Sequence, residues 1–171
     1  MREKHLVLVG LMGTGKTTIG TRLATRLGLP YVDSDDLLDQ RAGHNARELL
    51  AAHGADALHD AEAQVVLDAL DAAEPTVIGA AASTVLSAVV RERLHDHDVV
   101  WLRAEPHRLA ARLASVHDDY RPFVDRDLSV LAQMHDERKA LYDEVASFTV
   151  DTTSHTPDEV VDEIVEWRSG R

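Results

Sequence analysis

The chain has 171 residues, no cysteine and a formal net charge of −12. That length suits one domain with a core of its own, and the missing cysteines exclude disulfides, thiolate metal sites and cysteine nucleophiles. The acidic balance argues against nucleic-acid or anionic-membrane binding, which reward basic surfaces, and no apolar run reaches the roughly 18–20 residues of a membrane span.

His5–Val9 is a short apolar run ending at Gly10 and predicts a buried strand. Thr17–Leu27 has apolar residues at helical spacing and is closed by Gly28 and Pro30. Tyr31-Val32 reads as a second strand. Helices are predicted over Asp35–Arg41, around Ala46–His53 and over Glu62–Ala73, the last carrying Val65, Val66, Leu67 and Leu70. Thr76–Ile78 is a strand, Val85–Leu94 a helix and Val99–Leu102 a strand entered from the polar run His95–Asp98. Pro106–Ser115 opens a helix with proline in its first turn. Val116–Asp127 is polar and irregular and suits a mobile loop. Leu128–Val145 is a long helix, Phe148–Val150 a strand and Pro157–Trp167 a final helix. This alternation implies a parallel sheet covered by helices on both faces, as a single domain over residues 1–171.

Gly10-Leu11-Met12-Gly13-Thr14-Gly15-Lys16-Thr17 fits G-x-x-x-x-G-K-[ST], with a strand before it and a helix after it. Small residues let the backbone wrap phosphate oxygens with its N–H groups pointing inward, and the helix N-terminus adds positive potential. Lys16 can reach the β- and γ-phosphates, and the Thr17 hydroxyl can ligate Mg²⁺. The loop residues Gly10, Met12, Gly13, Thr14, Gly15, Lys16 and Thr17, with Thr18, are therefore the candidate nucleotide-binding set. A plain glycine turn is the bland alternative, and it leaves the agreement of spacing and flanks unexplained.

Val32-Asp33-Ser34-Asp35-Asp36 follows the second strand. The carboxyl ends of strands line the ligand crevice of an open parallel sheet. Asp33 and Asp35 would project there, one positioning Mg²⁺ and the other orienting a substrate hydroxyl or accepting its proton. Helix N-capping is the competing reading.

With these residues in place, the chain resembles the shikimate kinase family. The loop through Thr18-Ile19-Gly20, then Asp33-Ser34-Asp35, matches that family's opening. Arg121-Pro122 resembles its lid motif, and Arg138 in Arg-Lys-Ala-Leu-Tyr resembles its carboxylate-binding arginine. Arg112 and Pro157 fall where the family sandwiches the adenine. The resemblance implies an α/β P-loop kinase of the nucleoside-monophosphate-kinase-like type. Its three layers would hold five parallel strands in order 2-3-1-4-5, with helices on both faces and a lid loop at about 116–127. It also implies ATP and Mg²⁺. Lys16 and Arg121 would stabilise transferred charge, Thr17 and Asp33 would hold the metal, and Asp35 would orient the accepting hydroxyl.

Two departures fall on the acceptor side. The family pattern Phe-Arg-x-x-Glu reads Leu58-His59-Asp60-Ala61-Glu62 here, so an arginine that would pair with the acceptor carboxylate is His59. Arginine is a permanent two-pronged donor, whereas the charge of histidine depends on its surroundings. Asp60 and Glu62, close in sequence, leave that charge open, and a solvated helix histidine is the alternative. The family's triple glycine falls on Ala81-Ala82-Ser83 or, shifted by one, on Ala80-Ala81-Ala82. Alanine keeps its N–H but adds a Cβ and resists positive φ. Ala81 and Ala82 are thus candidate substrate contacts beside His59 and Arg138, unless Ser83 or Thr84 simply caps a helix here.

The expected activity is transfer of the γ-phosphoryl group of ATP to a hydroxyl of a small cyclic hydroxy acid, shikimate first. The alternatives are a different hydroxylated acceptor, or a nucleotide-binding paralogue with little kinase activity. A cytoplasmic monomer is expected, acting on a small molecule with no nucleic-acid or membrane partner.

Overall fold

The computed structural model describes residues 4–43, 45–115 and 127–171. Strands β1 (Leu6–Val9), β2 (Tyr31–Asp33), β3 (Val77–Gly79), β4 (Asp98–Arg103) and β5 (Phe148–Asp151) form one sheet, ordered β2-β3-β1-β4-β5. Every pairing is parallel, and central β1 sets Val7 between Ile78 of β3 and Val99 of β4. The helices are α1 (Lys16–Leu27), α2 (Ser34–Ala42), α3 (Ala46–Leu70), α4 (Ala88–Leu94), α5 (Pro106–Ala114), α6 (Leu128–Val145) and α7 (Pro157–Ser169). This is the α/β P-loop kinase architecture that the alternation and the resemblance lead one to expect.

The side-chain period of two along a strand divides the core into two layers. Leu6 and Leu8 pack with Ile19 and Leu23 of α1 and with Val160 and Ile164 of α7. Val7 and Val9 face the other way, onto Val66 and Leu70 of α3, Leu109 of α5 and Tyr142 of α6. All four β1 side chains are buried, each stabilising the fold by roughly 1.5–3 kcal/mol. Trp101 of β4 stacks on Tyr142 with ring centroids 5.4 Å apart, and Trp167 stacks on Phe148 at 4.9 Å. Both tryptophans are packing residues.

A third, smaller cluster matters more for the site. Leu38 of α2 meets Leu58 and Val65 of α3, with Leu49 and Leu50 packed alongside. It fastens α2 to α3 and so shapes one flank of the ligand crevice. Helix α3 runs through the stretch that separates the two predicted helices, broken only at Gly54 (φ 85°, ψ 173°). It ends at Leu70, earlier than the periodicity suggests. Conversely, the helix predicted over Val85–Leu94 is a 3-10 turn at Thr84–Leu86 followed by α4. Ser87 separates the two, its hydroxyl accepting from the Val90 N–H at 3.4 Å. Among the described residues no helix is long and apolar enough to cross a membrane.

Candidate active site

The carboxyl ends of β1, β2 and β3 open into a single cleft of about 1060 Å³. One end of it is the turn from β1 into α1. Gly10 (φ 150°) passes so close to β4 that a Cβ would lie 2.6 Å from the Leu102 carbonyl oxygen. Gly15 (φ 94°) occupies the N-cap position of α1 without side-chain capping, so the first helical N–H groups face the crevice. Lys16 folds over the loop, with Nζ donating to the carbonyls of Gly10 at 2.8 Å and Leu11 at 3.0 Å. Thr14 is buried behind the loop, its hydroxyl donating to the Leu11 carbonyl at 2.8 Å. Met12, Gly13, Gly15, Lys16, Thr17 and Thr18 line the cleft directly.

Arg112 reaches the same turn from α5. Its Nη1 donates to the Gly13 carbonyl and to Thr152 Oγ1, each at 3.2 Å, and Nη2 bonds the Thr152 carbonyl. The phosphate loop and the loop after β5 are thereby held together by one guanidinium. Pro157 begins α7 beyond that second loop; it is exposed and does not line the cleft. Arg121 and the lid lie outside the described residues, apart from Asp127, which caps α6 by accepting from the Ser129 N–H at 2.8 Å.

Asp33 caps α2 with one carboxylate oxygen and turns the other to the cleft. Oδ1 accepts the Asp35 N–H at 2.9 Å and caps α2, while Oδ2 accepts Thr17 Oγ1 at 3.0 Å and the Tyr31 hydroxyl at 3.1 Å. Burial and the Asp33 charge keep the Tyr31 phenol above its ordinary range, so it stays a neutral donor. Two hard oxygen donors, Thr17 Oγ1 and Asp33 Oδ2, stand side by side at the cleft, a donor set that fits Mg²⁺.

The other end gathers Asp35, His59, Ala81, Ala82 and Arg138, all lining the same cleft. Burial lowers the His59 pKa, and the Arg138 charge lowers it further against Asp56 and Asp60. Both effects favour the neutral imidazole. Ala81 N–H donates to Ser34 Oγ at 2.8 Å. The Ala82 carbonyl accepts both Arg138 Nη1 at 3.1 Å and the Tyr142 hydroxyl at 3.0 Å. Ser83 and Thr84 do not cap with their side chains: Ser83 Oγ donates to Glu62, and Thr84 Oγ1 donates to the Ala81 carbonyl at 2.7 Å. No described residue other than glycine has positive φ, so the alanines avoid the backbone strain their Cβ atoms would incur.

Glu62, Ser83, Asp36 and Asp39 also line the cleft, although sequence reasoning selects none of them. Burial raises the Glu62 pKa to about 7; Asp35 adds to the rise, while the Ser83 hydrogen bond and Arg138 oppose it. Asp39 is raised as well, by burial and by Asp36 and Glu48. Glu62 had a signal in its match to the Phe-Arg-x-x-Glu pattern. Ser83 had one as well, since one of the two alignments puts it at the third position of the triple glycine.

A shikimate kinase family model matches residues 12–168. The chain is similar to the shikimate kinase of Corynebacterium efficiens, with 36% identity over 167 residues that cover 96% of each chain. Similarity to the shikimate kinase of Thermobifida fusca is 34% identity, covering 94% of this chain and 92% of the relative. Among solved structures, shikimate kinase from Acinetobacter baumannii in complex with shikimate superposes with a TM-score of 0.90 at 26% identity, covering 98% of this chain and 93% of that one. A gluconokinase from Sinorhizobium meliloti, at 20% identity and a TM-score of 0.66 over 96% of this chain and 91% of its own, shares the fold alone.

Proposed function

The chain belongs to the shikimate kinase family, and from that premise we propose that its cleft transfers the γ-phosphoryl group of ATP to a hydroxyl of shikimate with the help of Mg²⁺. It is an ATP-dependent small-molecule kinase. The observation that supports the acceptor assignment is the continuity of the cleft, which holds Lys16 and Thr17 at one end and Asp35 and Arg138 at the other.

In this reading the triphosphate lies in the loop from Gly10 to Thr18, with Arg112 beside the adenine. Thr17 and Asp33 would hold Mg²⁺, which when bound would neutralise phosphate charge. Asp35 binds the accepting hydroxyl and aligns its oxygen with the γ-phosphorus. As the new O–P bond forms, the bond to the β-phosphate oxygen breaks and ADP leaves. The hydroxyl proton passes to Asp35 or to solvent. Lys16 stabilises the negative charge in transfer, and Arg121 takes the role its lid motif implies. Arg138 pairs with the acceptor carboxylate, and His59 contributes hydrogen bonding only. Positioning and electrostatics supply most of the rate, because phosphoryl transfer needs little covalent chemistry from protein.

A coupled ADP-release assay across shikimate, cyclitols, sugars, other hydroxy acids and nucleosides tests the assignment. Turnover that saturates with shikimate supports it. ATP binding without turnover on any acceptor would instead mark a nucleotide-binding protein, and turnover with nucleosides alone would mark a nucleoside kinase.

A further inference from the structure

The connection from β3 to the 3-10 turn carries two consecutive residues that each hold a charged group of the acceptor wall. The Ala82 carbonyl accepts Arg138 Nη1 at 3.1 Å, and Ser83 Oγ donates to Glu62 Oε2. The connection is itself pinned from two sides. Ser34 Oγ accepts the Ala81 N–H, and the Tyr142 hydroxyl, on a side chain only 1% exposed, donates to the Ala82 carbonyl. Helix α3 thus offers Glu62 and helix α6 offers Arg138, and one short segment fixes both.

We propose that Ser83 is a positioning residue for acceptor recognition, holding the Glu62 carboxyl on the cleft wall in register with Arg138. A small hydroxy acid then meets an oxygen acceptor for a hydroxyl and a guanidinium for its carboxylate, in one orientation. The proposal rests on the kinase reading for its substrate, but the link between Ser83 and Glu62 stands on geometry alone. The charged groups acting on Glu62 are Asp35 from α2 and Arg138 from α6, and His59 lies one turn earlier on α3. A hydroxyl donor stabilises the carboxylate against burial and against Asp35. Removing it pushes Glu62 upward, an effect that a purely space-filling serine would not have.

The test uses the full chain as parent, Ser83→Ala and Ser83→Thr. Glutamate-labelled NMR follows the Glu62 titration, and steady-state kinetics follows shikimate and ATP separately. The expected Ser83→Ala result is a Glu62 titration displaced above its parental midpoint and a shikimate KM raised roughly three- to tenfold, with the KM for ATP unmoved. Ser83→Thr, which keeps the hydroxyl, restores both. A Glu62 titration or a shikimate KM identical in parent and Ser83→Ala overturns the proposal. If the parent itself fails to phosphorylate shikimate, the kinase reading falls. The Glu62 titration then decides by itself whether Ser83 holds Glu62.

Discussion

Both carboxylate oxygens of Asp33 are engaged by the protein itself, one by the cap of α2 and one by Thr17 and Tyr31. Tyr31 sits in a slot that only glycine leaves open: a Cβ at Gly20 would lie 2.3 Å from its ring, and one at Gly79 would lie 2.6 Å from its hydroxyl oxygen. Tyr31→Phe keeps the ring in this slot and removes one donor from Asp33. The apparent affinity for Mg²⁺, measured by metal titration at saturating ATP, is expected to weaken a few-fold, roughly the worth of one hydrogen bond. An unchanged titration would detach Tyr31 from the metal site. Glu62 supports a stability prediction. Its folded pKa of about 7 lies above the ordinary value of 4.5, so the folded state binds its proton more tightly than the unfolded chain does. The associated stability is present below the unfolded value and is lost as pH rises through the folded one. Glu62→Gln should therefore gain thermal stability over the parent as pH rises from about 4.5 to about 7, by roughly 1–3 kcal/mol, with the difference flat above that range. A pH-independent difference in melting temperature would contradict this. His59→Arg adds a permanent charge beside Arg138, and the shikimate KM should fall roughly tenfold. If the KM does not move, position 59 does not touch the acceptor.

Helix α3 illustrates how an element can be half legible. Its C-terminal part was visible in the spacing of Val65, Val66 and Leu70, which pack on the sheet or against α2. Its N-terminal part is mostly exposed, and an Asn45–Glu48 capping box fixes where it starts. Between them, Gly54 takes a φ/ψ pair open essentially to glycine alone, and nothing lies within 4 Å of where a Cβ would be. The cost of Gly54→Ala is thus backbone strain without a clash, on the order of 1–3 kcal/mol. Because the residues before the break carry Ala46 and Leu50 into the cleft wall, the variant should raise the shikimate KM more than the KM for ATP. Equal changes in both would mean that the kink does not set the acceptor flank. The sequence pattern gives one helix around Ala46–His53 and another over Glu62–Ala73, and it cannot tell a kink from a loop between them, since the difference lies in whether α2 is present to pack on. The short hydroxyl-rich stretch before α4 failed similarly. Ser83, Thr84 and Ser87 are all competent caps, and only the partners in space decide that Ser87 caps while Ser83 turns to Glu62.

At the scale of the whole molecule, the two ends of the cleft differ in how they are encoded. The nucleotide end is built from one contiguous segment after β1, so its spacing alone announces it. Arg112, in α5 and far along the chain, needed the resemblance. The acceptor end is assembled from α2, α3, the β3 connection and α6, and no local pattern links Ser83 to Glu62 or Ala82 to Arg138. Departures there, His59 and the alanine run, are visible in the sequence. Their consequence becomes clear only when Arg138 is found beside both. The central claim is that this one cleft brings a nucleotide phosphate at Lys16 to a shikimate hydroxyl at Asp35. Phosphorus NMR of the protein with ATP, Mg²⁺ and shikimate tests it most directly, run beside Lys16→Ala. The expected spectrum shows a shikimate phosphate ester accumulating in step with ADP, and neither product with the variant. ADP accompanied only by inorganic phosphate, or ester formed equally well by Lys16→Ala, would contradict it.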